Sequence, residues 1–300
     1  MQIVKRRRLF YMISAILIVP GIISLIFNGL KLGIDFTGGS RLELANITEI
    51  SLNELRNIVE KRAEVVSVQQ TEDTTYLFRL GLISQQVNSE ILTDIQRVDQ
   101  DAKEASFEVV GPTIGSETAQ KAILAVVIAS LTITAYIAYV FREVSKPLAS
   151  WKYGVAAVSA LLHDVIFVVG VFSILGVFFN IEIDALFITA LLTIMGFSVH
   201  DSIVVFDRIR ENLKKELPLP FDEIVNVSLV ETLNRSLNTS ISTILVLFTL
   251  LLFTEGSLRW FVAALFIGIL SDTYSSIFNA SPLLVTWNNW DQKRKRRIKK

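Results

Sequence analysis

The chain has 300 residues, of which 51% are hydrophobic, and a mean hydropathy of +0.50, which excludes an ordinary soluble domain or soluble enzyme. Its 29 basic and 29 acidic residues cancel, but they are segregated: four basic residues fall in the first eight positions and seven in the last eight. The absence of cysteine excludes disulfides and thiolate metal sites, and two histidines are all that remain for imidazole ligation.

The first element is an apolar stretch at 9–27 behind Lys5, Arg6, Arg7 and Arg8. It is longer than a signal-peptide core and lacks a small-x-small cleavage site, so it reads as a retained membrane helix. Pro20-Gly21 inside it predicts a kink, with neighbouring groups satisfying the lost backbone bond.

Residues 30–118 then hold fifteen acidic against eight basic side chains, a net charge of −7. Segment 40–45 alternates like a strand. Segment 51–62 predicts a helix, with Ser51 as N-cap and Glu54 completing a capping box. Strands are expected at 65–70 and 74–80 around a Glu72-Asp73 turn. A second helix is expected at 88–100, capped by Asn88, with Ile91, Ile95 and Val98 on one face, before a closing strand at 107–110. The order β-α-β-β-α-β is that of an α+β ferredoxin-like fold. It serves either as a spacer or as a surface whose edge strands pair with extended chains. Gly38-Gly39 suits a tight reversal after the first helix, and Gly111-Pro112 punctuates the last strand.

A bilayer core of about 30 Å needs roughly 20 apolar residues. The stretches at 122–141, 153–179, 185–206, 237–253 and 260–285 supply five more spans, making a polytopic α-helical membrane protein with six transmembrane helices. Arg142, Lys146 and Lys152 lie between spans two and three, and Arg208, Arg210, Lys214, Lys215 and Arg235 between four and five, which places both loops in the cytoplasm. The loop with Glu182 and Asp184, and the loop at 254–259, suit the outside. Both termini are then cytoplasmic. The organisation is an N-terminus and first helix at 1–29, an extracytoplasmic domain at 30–118, helices two to six at 119–286 and a basic tail at 287–300. The tail reads as an orientation signal and a contact for lipid headgroups, with no nucleic acid expected.

Three carboxylates fall within spans: Asp164, Asp201 and Asp272. A charge there costs several kcal/mol, so such residues face the protein interior and mark function. Around Asp272, Gly268, Ser275, Ser276 and Asn279 share a helical face. Arg235, Asn238, Thr239 and Ser242 stripe the fifth span, and Thr193, Phe197 and Asp201 align on the fourth, beside Ser198 and Ser202. Small and hydroxyl residues of this kind also serve as packing between helices. For Asp201 and Arg235 a two-state device is the preferred reading: the ionised acid pairs with the cation and the protonated acid releases it. His163 and His200 each precede an Asp. Neither pair has the i, i+4 spacing of two zinc ligands, so proton relay or hydrogen bonding is expected and no metal or other cofactor. No Walker loop, dinucleotide fingerprint or catalytic triad is present, and no enzymatic activity is expected.

These residues resemble the SecD/SecF family of bacterial protein export over nearly the whole chain. The likeness rests on GIDFTGG at 33–39, VGPTIG at 110–115, SVHDSIVVFDRIREN at 198–212, RSLNTS at 235–240 and YSSI at 274–277. It implies a pseudo-symmetric bundle with SecD, of the resistance-nodulation-division type, that uses the proton motive force to draw preproteins off the SecYEG channel. It also implies a bacterial plasma (inner) membrane location and an association extending to YajC. By motif, Asp201 and Arg235 match the family's proton-coupling acid and its basic neighbour, with Thr239 and His200 beside them. Asp164, Asp272 and His163 form a secondary intramembrane polar group. His200 stands where the family usually has asparagine, and Ser236 where threonine is common. Two alternatives stay open on the sequence: half of a split proton-driven efflux pump for lipids or small molecules, and a scaffold whose intramembrane charges are static packing pairs.

Overall fold

The computed structural model describes residues 2–72, 74–142, 148–215 and 218–298. Asp73 of the expected turn, Lys146 of the first basic loop, and Lys299 and Lys300 of the tail lie outside the described residues. In chain order the elements are α1 (Arg7–Asn28), α2 (Ile34–Thr37), β1 (Gly39–Ala45), α3 (Leu52–Glu60), β2 (Val65–Glu72), β3 (Thr75–Leu80), α4 (Gln85–Gln96), β4 (Lys103–Val110), α5 (Pro112–Val140), α6 (Ser150–Phe179), α7 (Ala185–Lys214), α8 (Phe221–Phe253), α9 (Gly256–Ser275) and α10 (Ser281–Ile298). A π-helical turn, Ser276–Ala280, joins α9 to α10 without a break. The chain forms two compact units, one of residues 1–30, 125–178 and 186–300, the other of residues 31–124 and 179–185.

Six helices are long and apolar enough to cross a membrane: α1, α5, α6, α7, α8 and the continuous sixth that runs from Gly256 to Arg297. This is a multi-pass, mostly helical membrane protein. In the first unit α1 remains helical through Pro20. It crosses α6 backbone to backbone, since a Cβ added to Gly21 would lie 2.8 Å from Gly170 Cα. One turn on, Ser24 and Ser173 share a hydrogen bond of 2.8 Å between their hydroxyls. Small residues at a three-residue spacing on both helices permit that approach. The buried rings of Phe141, Tyr153 and Phe206 meet at centroid distances of 5.6 to 5.8 Å and fasten the end of α5 to α6 and α7.

Several helices outrun their apolar stretches. The residues expected to form a basic loop between spans four and five are mostly helical, because charge pairs support them. Arg208 bonds Glu211 at 2.5 Å and Glu231 of α8 at 2.7 Å. Asn212 donates to Ser228 at 3.0 Å and to Glu231 at 2.8 Å. Likewise Lys152, expected in a loop, lies in the first turn of α6, paired with Asp291 of α10 and set between the rings of Trp151 and Trp287.

The second unit is a four-stranded antiparallel sheet in the order β2-β3-β1-β4 with two helices. Leu42 and Leu44 of β1 face inward with Tyr76, Phe78 and Leu80 of β3, as period-two alternation requires. Leu55 and Val59 of α3 and Ile91 and Ile95 of α4, each pair four residues apart, complete the core. Ser51 caps α3 by accepting the Glu54 N–H at 3.4 Å. The second cap differs from expectation: Ser84, in extended conformation, caps α4 by accepting the Val87 N–H at 3.4 Å, so the helix starts before Asn88. Asn88 is instead buried within the helix and donates to Glu104 at 2.7 Å. Serine caps as well as asparagine, and Ser84 has the extended backbone that a cap requires. Strand β4 also begins earlier than expected, at Lys103, paired with Ala45.

The glycine motif has a steric cause. Gly38 and Gly39 take φ of +75° and +123°, a reversal that side chains oppose. A Cβ on Gly115, in the first turns of α5, would lie 2.6 Å from Gly38 N. The segment after α1 also binds the loop 179–185: Gly33 N–H bonds Ile183 O and Ile183 N–H bonds Lys31 O, both at 2.8 Å. Arg79 adds Glu182 at 2.9 Å and Thr37 at 2.8 Å.

Candidate functional site

The polar residues of the membrane-spanning unit fall into two groups. The first centres on Asp164 of α6, which is fully buried. Its Oδ2 accepts from Ser198 of α7 at 2.9 Å and from Ser275 of α9 at 2.7 Å. Its Oδ1 accepts from Ser271 at 2.8 Å and lies 3.1 Å from His163 Nδ1. Three serine hydroxyls from two other helices thus converge on one buried side chain. Asp272 is 2% exposed and lies in the electrostatic field of Asp164 and Asp201. Asp272 Oδ1 has no hydrogen-bond partner among the described residues. The Ser276 hydroxyl donates to the Asp272 carbonyl at 2.5 Å.

The second group is Asp201 on α7 with Arg235 and Thr239 on α8. Asp201 is 7% exposed and lies in the electrostatic field of His200 and Arg235. Among the described residues its side chain makes no hydrogen bond and no ion pair, with Arg235 or any other cation. Arg235 is exposed, as are His200, Asn238, Thr239 and Ser242. Thr239 turns its hydroxyl back to the Arg235 carbonyl at 3.0 Å, and Ser242 to that of Asn238 at 2.7 Å. The stripe on α8 is therefore an open polar face.

The residues singled out in the sequence thus lie in two settings: His163 and Asp164 in a closed network, with Asp272 buried on the helix that supplies two of its serines, and Asp201, Arg235, His200 and Thr239 at an open one. Ser275 and Ser198 bind the Asp164 carboxylate directly. Gly268 has the packing role expected of it, since a Cβ there would come within 2.2 Å of Ile194 Cδ1. Sequence reasoning missed Ser271 and Ser14. Ser271 stands four residues before Ser275 and shares its face, a signal open to detection. Ser14, which lies 3.2 Å from His163 Nε2, is one of two serines ten residues apart in a largely apolar helix and gave none.

Comparison with known proteins adds the context. Residues 90–290 match the family model described as protein export membrane protein SecD/SecF, C-terminal, and residues 23–45 match the SecD/SecF GG motif. The protein translocase subunit SecF of Thermobaculum terrenum is 44% identical over 97% of this chain and 95% of its own length. That of Anaerolinea thermophila is 40% identical over 96% and 94%. The crystal structure of SecDF from Thermus thermophilus, described as a translocon-associated membrane protein, superposes with a TM-score of 0.83 at 33% identity. That match covers 96% of this chain but 39% of the SecDF chain, so this protein spans about two fifths of the solved relative.

Proposed function

Because the chain belongs to the SecD/SecF family of protein export membrane proteins, we propose that it is an accessory subunit of the Sec preprotein translocase, acting with SecD to turn the proton motive force into export. The observation that carries this reading is Asp201: an acid inside a membrane span, 7% exposed, held by no hydrogen bond or ion pair among the described residues, in the field of Arg235. An acid that no donor fixes is free to change charge, and each change alters its attraction to a permanent cation. A membrane potential supplies about 2.3 kcal/mol per charge per 100 mV, enough to bias a conformational equilibrium of a few kcal/mol. Asp201 is the proton-coupling acid, Arg235 the fixed cation, and Thr239 and His200 complete the polar surroundings.

The open stripe of α8 supports SecD as the partner. A guanidinium exposed to hydrocarbon is costly, so Arg235, Asn238, Thr239 and Ser242 require cover from protein or water. SecDF relatives support this partnership: the chain is 33% identical to SecDF of Bacillus subtilis over 38% of that protein's length. We take residues 1–29, 30–118, 119–286 and 287–300 as the functional divisions, with 30–118 a ferredoxin-like extracytoplasmic domain that meets the emerging preprotein. Its β-α-β-β-α-β order and antiparallel pairings support that assignment. The basic termini support cytoplasmic ends in a bacterial plasma membrane, next to SecYEG and YajC. Nothing in the structure favours the efflux alternative, and the relatives that match along their whole length are named translocase subunits.

The test is Asp201→Asn in the assembled complex. SecD association and melting temperature are expected to match the wild type, while proton-dependent export falls to the level seen without a gradient. Undiminished export refutes the assignment.

A further inference from the structure

The mechanism built on Asp201 and Arg235 leaves the segment 31–37 without a task, yet that segment is bonded to the connection between α6 and α7. Asp35 Oδ2 accepts the N–H of Ala185, the first residue of α7, at 2.9 Å across 150 positions of chain. An aspartate at a helix N-terminus is favoured twice, as an acceptor for a free N–H and as an anion against the helix dipole. Beside it, Lys31 and Gly33 exchange backbone bonds with Ile183, a parallel bridge centred on Leu32. Gly33 makes room for that bridge, since a Cβ there would lie 3.0 Å from Ile183 O. Asn180, with φ of +56°, ends α6 in the left-handed conformation that often closes a helix. Its side-chain oxygen accepts from Lys31 and its carbonyl from Gln69.

Three neighbouring strands take part in this joint. The segment 31–37 runs through Gly38 into β1, Arg79 of β3 holds Glu182 and Thr37 together, and Gln69 belongs to β2. A connection held at so many points behaves as part of the sheet. Residues 179–185 accordingly belong to the second unit, although the helices on either side of them belong to the first. Those helices, α6 and α7, contain no proline. An unbroken helix carries displacement along its axis, because bending it sharply means breaking its ladder of bonds. At 1.5 Å per residue, Asp201 lies about 24 Å along α7 from Ala185, and Asp164 about 22 Å along α6 from Phe179.

We propose that Asp35 and Arg79 are positioning residues for proton-driven export: the joint of 31–37 with 179–185 stays closed throughout the cycle and carries displacement of the second unit along α7 to Asp201. Asp35 grips α7 at its first residue, and Arg79 fixes the connection to the sheet through Glu182. Neither residue touches the proton. Their task is to keep export and proton transfer in step, so their loss separates the two rather than stopping both. The proposal rests on the proton-driven reading above and assigns it residues outside the membrane spans.

The test is export measured against proton flux in proteoliposomes holding the complex with SecD and the channel, with flux read by an internal pH dye and export by protease protection of a preprotein. In the double variant Asp35→Ala, Arg79→Ala, flux is expected to stay at the wild-type level while export falls to that seen without a gradient. The chain has no cysteine, so Leu32→Cys with Ile183→Cys gives one site at which oxidation closes the joint covalently. Bridged neighbours on adjacent strands lie about 4.8 Å apart, within the roughly 4.4–6.8 Å that a disulfide spans. Oxidation is expected to restore export to the double variant and to leave it intact in the otherwise wild-type chain. Undiminished export in the double variant overturns the proposal, and so does an equal fall of flux and export, which would make the joint structural only. Failure of oxidation to restore export does the same. Should the double variant not assemble, the cysteine pair alone decides: export that survives oxidation supports a permanently closed joint, and export lost on oxidation overturns it. Asp201→Asn separates the two readings. If it blocks flux while the double variant keeps its export per proton, the joint alone is wrong; if the wild-type complex carries no flux, both fall.

Discussion

Two glycine-to-alanine substitutions in the membrane-spanning unit are expected to move stability in opposite directions. A Cβ on Gly21 would lie 2.8 Å from the Gly170 Cα and 3.1 Å from its carbonyl carbon, both backbone atoms that no rotamer change can move. Alanine there forces α1 and α6 apart. Overpacking of this kind costs about 1–3 kcal/mol. The separation also strains the Ser24–Ser173 bond, whose class is worth about 0.6 kcal/mol between membrane helices. Alanine's better helix propensity returns about 0.5–1 kcal/mol, leaving a net loss of about 0.6–3 kcal/mol. Gly196 of α7 has nothing within 4 Å of an added Cβ, so Gly196→Ala should realise the propensity gain alone, about 0.5–1 kcal/mol of stabilisation. Detergent-driven unfolding in mixed micelles, followed by tryptophan fluorescence, reads both. Shifts of the same sign would refute the claim that the α1–α6 crossing is set by backbone contact.

Two further expectations concern the second unit. Asp99, 1% exposed, accepts the N–H groups of Glu49 and Thr48 at 2.9 and 2.7 Å, and the bond from Glu49, aided by those from Thr48 and Asp101 against the cost of burial, holds its carboxyl below the usual range. A depressed folded value contributes stability that is present above the unfolded pKa of about 4 and lost as pH falls through the folded one. Asp99→Asn should therefore speed hydrogen exchange of the 46–50 segment relative to wild type at pH 7, with the gap closing toward pH 3; a gap that does not change with pH refutes it. Ile91→Ala removes a fully buried core side chain and should destabilise this unit by about 2–5 kcal/mol. Limited proteolysis should show cleavage within 31–124 and none within the spans; resistance equal to wild type would count against the core assignment.

The six spans were legible because a bilayer leaves one solution for the backbone, and twenty apolar residues announce it. Their ends were not, since Arg208, Glu211, Asn212 and Glu231 continue α7 and α8 through pairings that hydropathy does not register. In the second unit, alternation placed Leu42 and Leu44 inward, and helical spacing did the same for Ile91 and Ile95. The cap of α4 went to Ser84 because two capping residues stood four apart and only backbone conformation chose between them. The acids were each visible as single residues, but their grouping was not. Sequence spacing speaks of one helix at a time, and Asp164 draws its donors from α7 and α9 as well as from its own neighbour His163.

The π-helical turn bears on why the sixth span serves two partners. Helical spacing puts Ser275 and Asn279 on one face, four residues apart, yet Ser275 bonds Asp164 while Asn279 bonds Ser14 of α1. A π turn inserts one residue into the ladder, and a single residue rotates the helix beyond it by roughly 100°. The turn begins at Ser276, directly after the last serine that holds Asp164. The residues before it thus stay aimed at the buried carboxylate, while Asn279 within it reaches Ser14 of α1. A regular helix through the same sequence would have to give up one contact or the other, so the irregularity is what allows the carboxylate network and the contact with α1 to be built from one span.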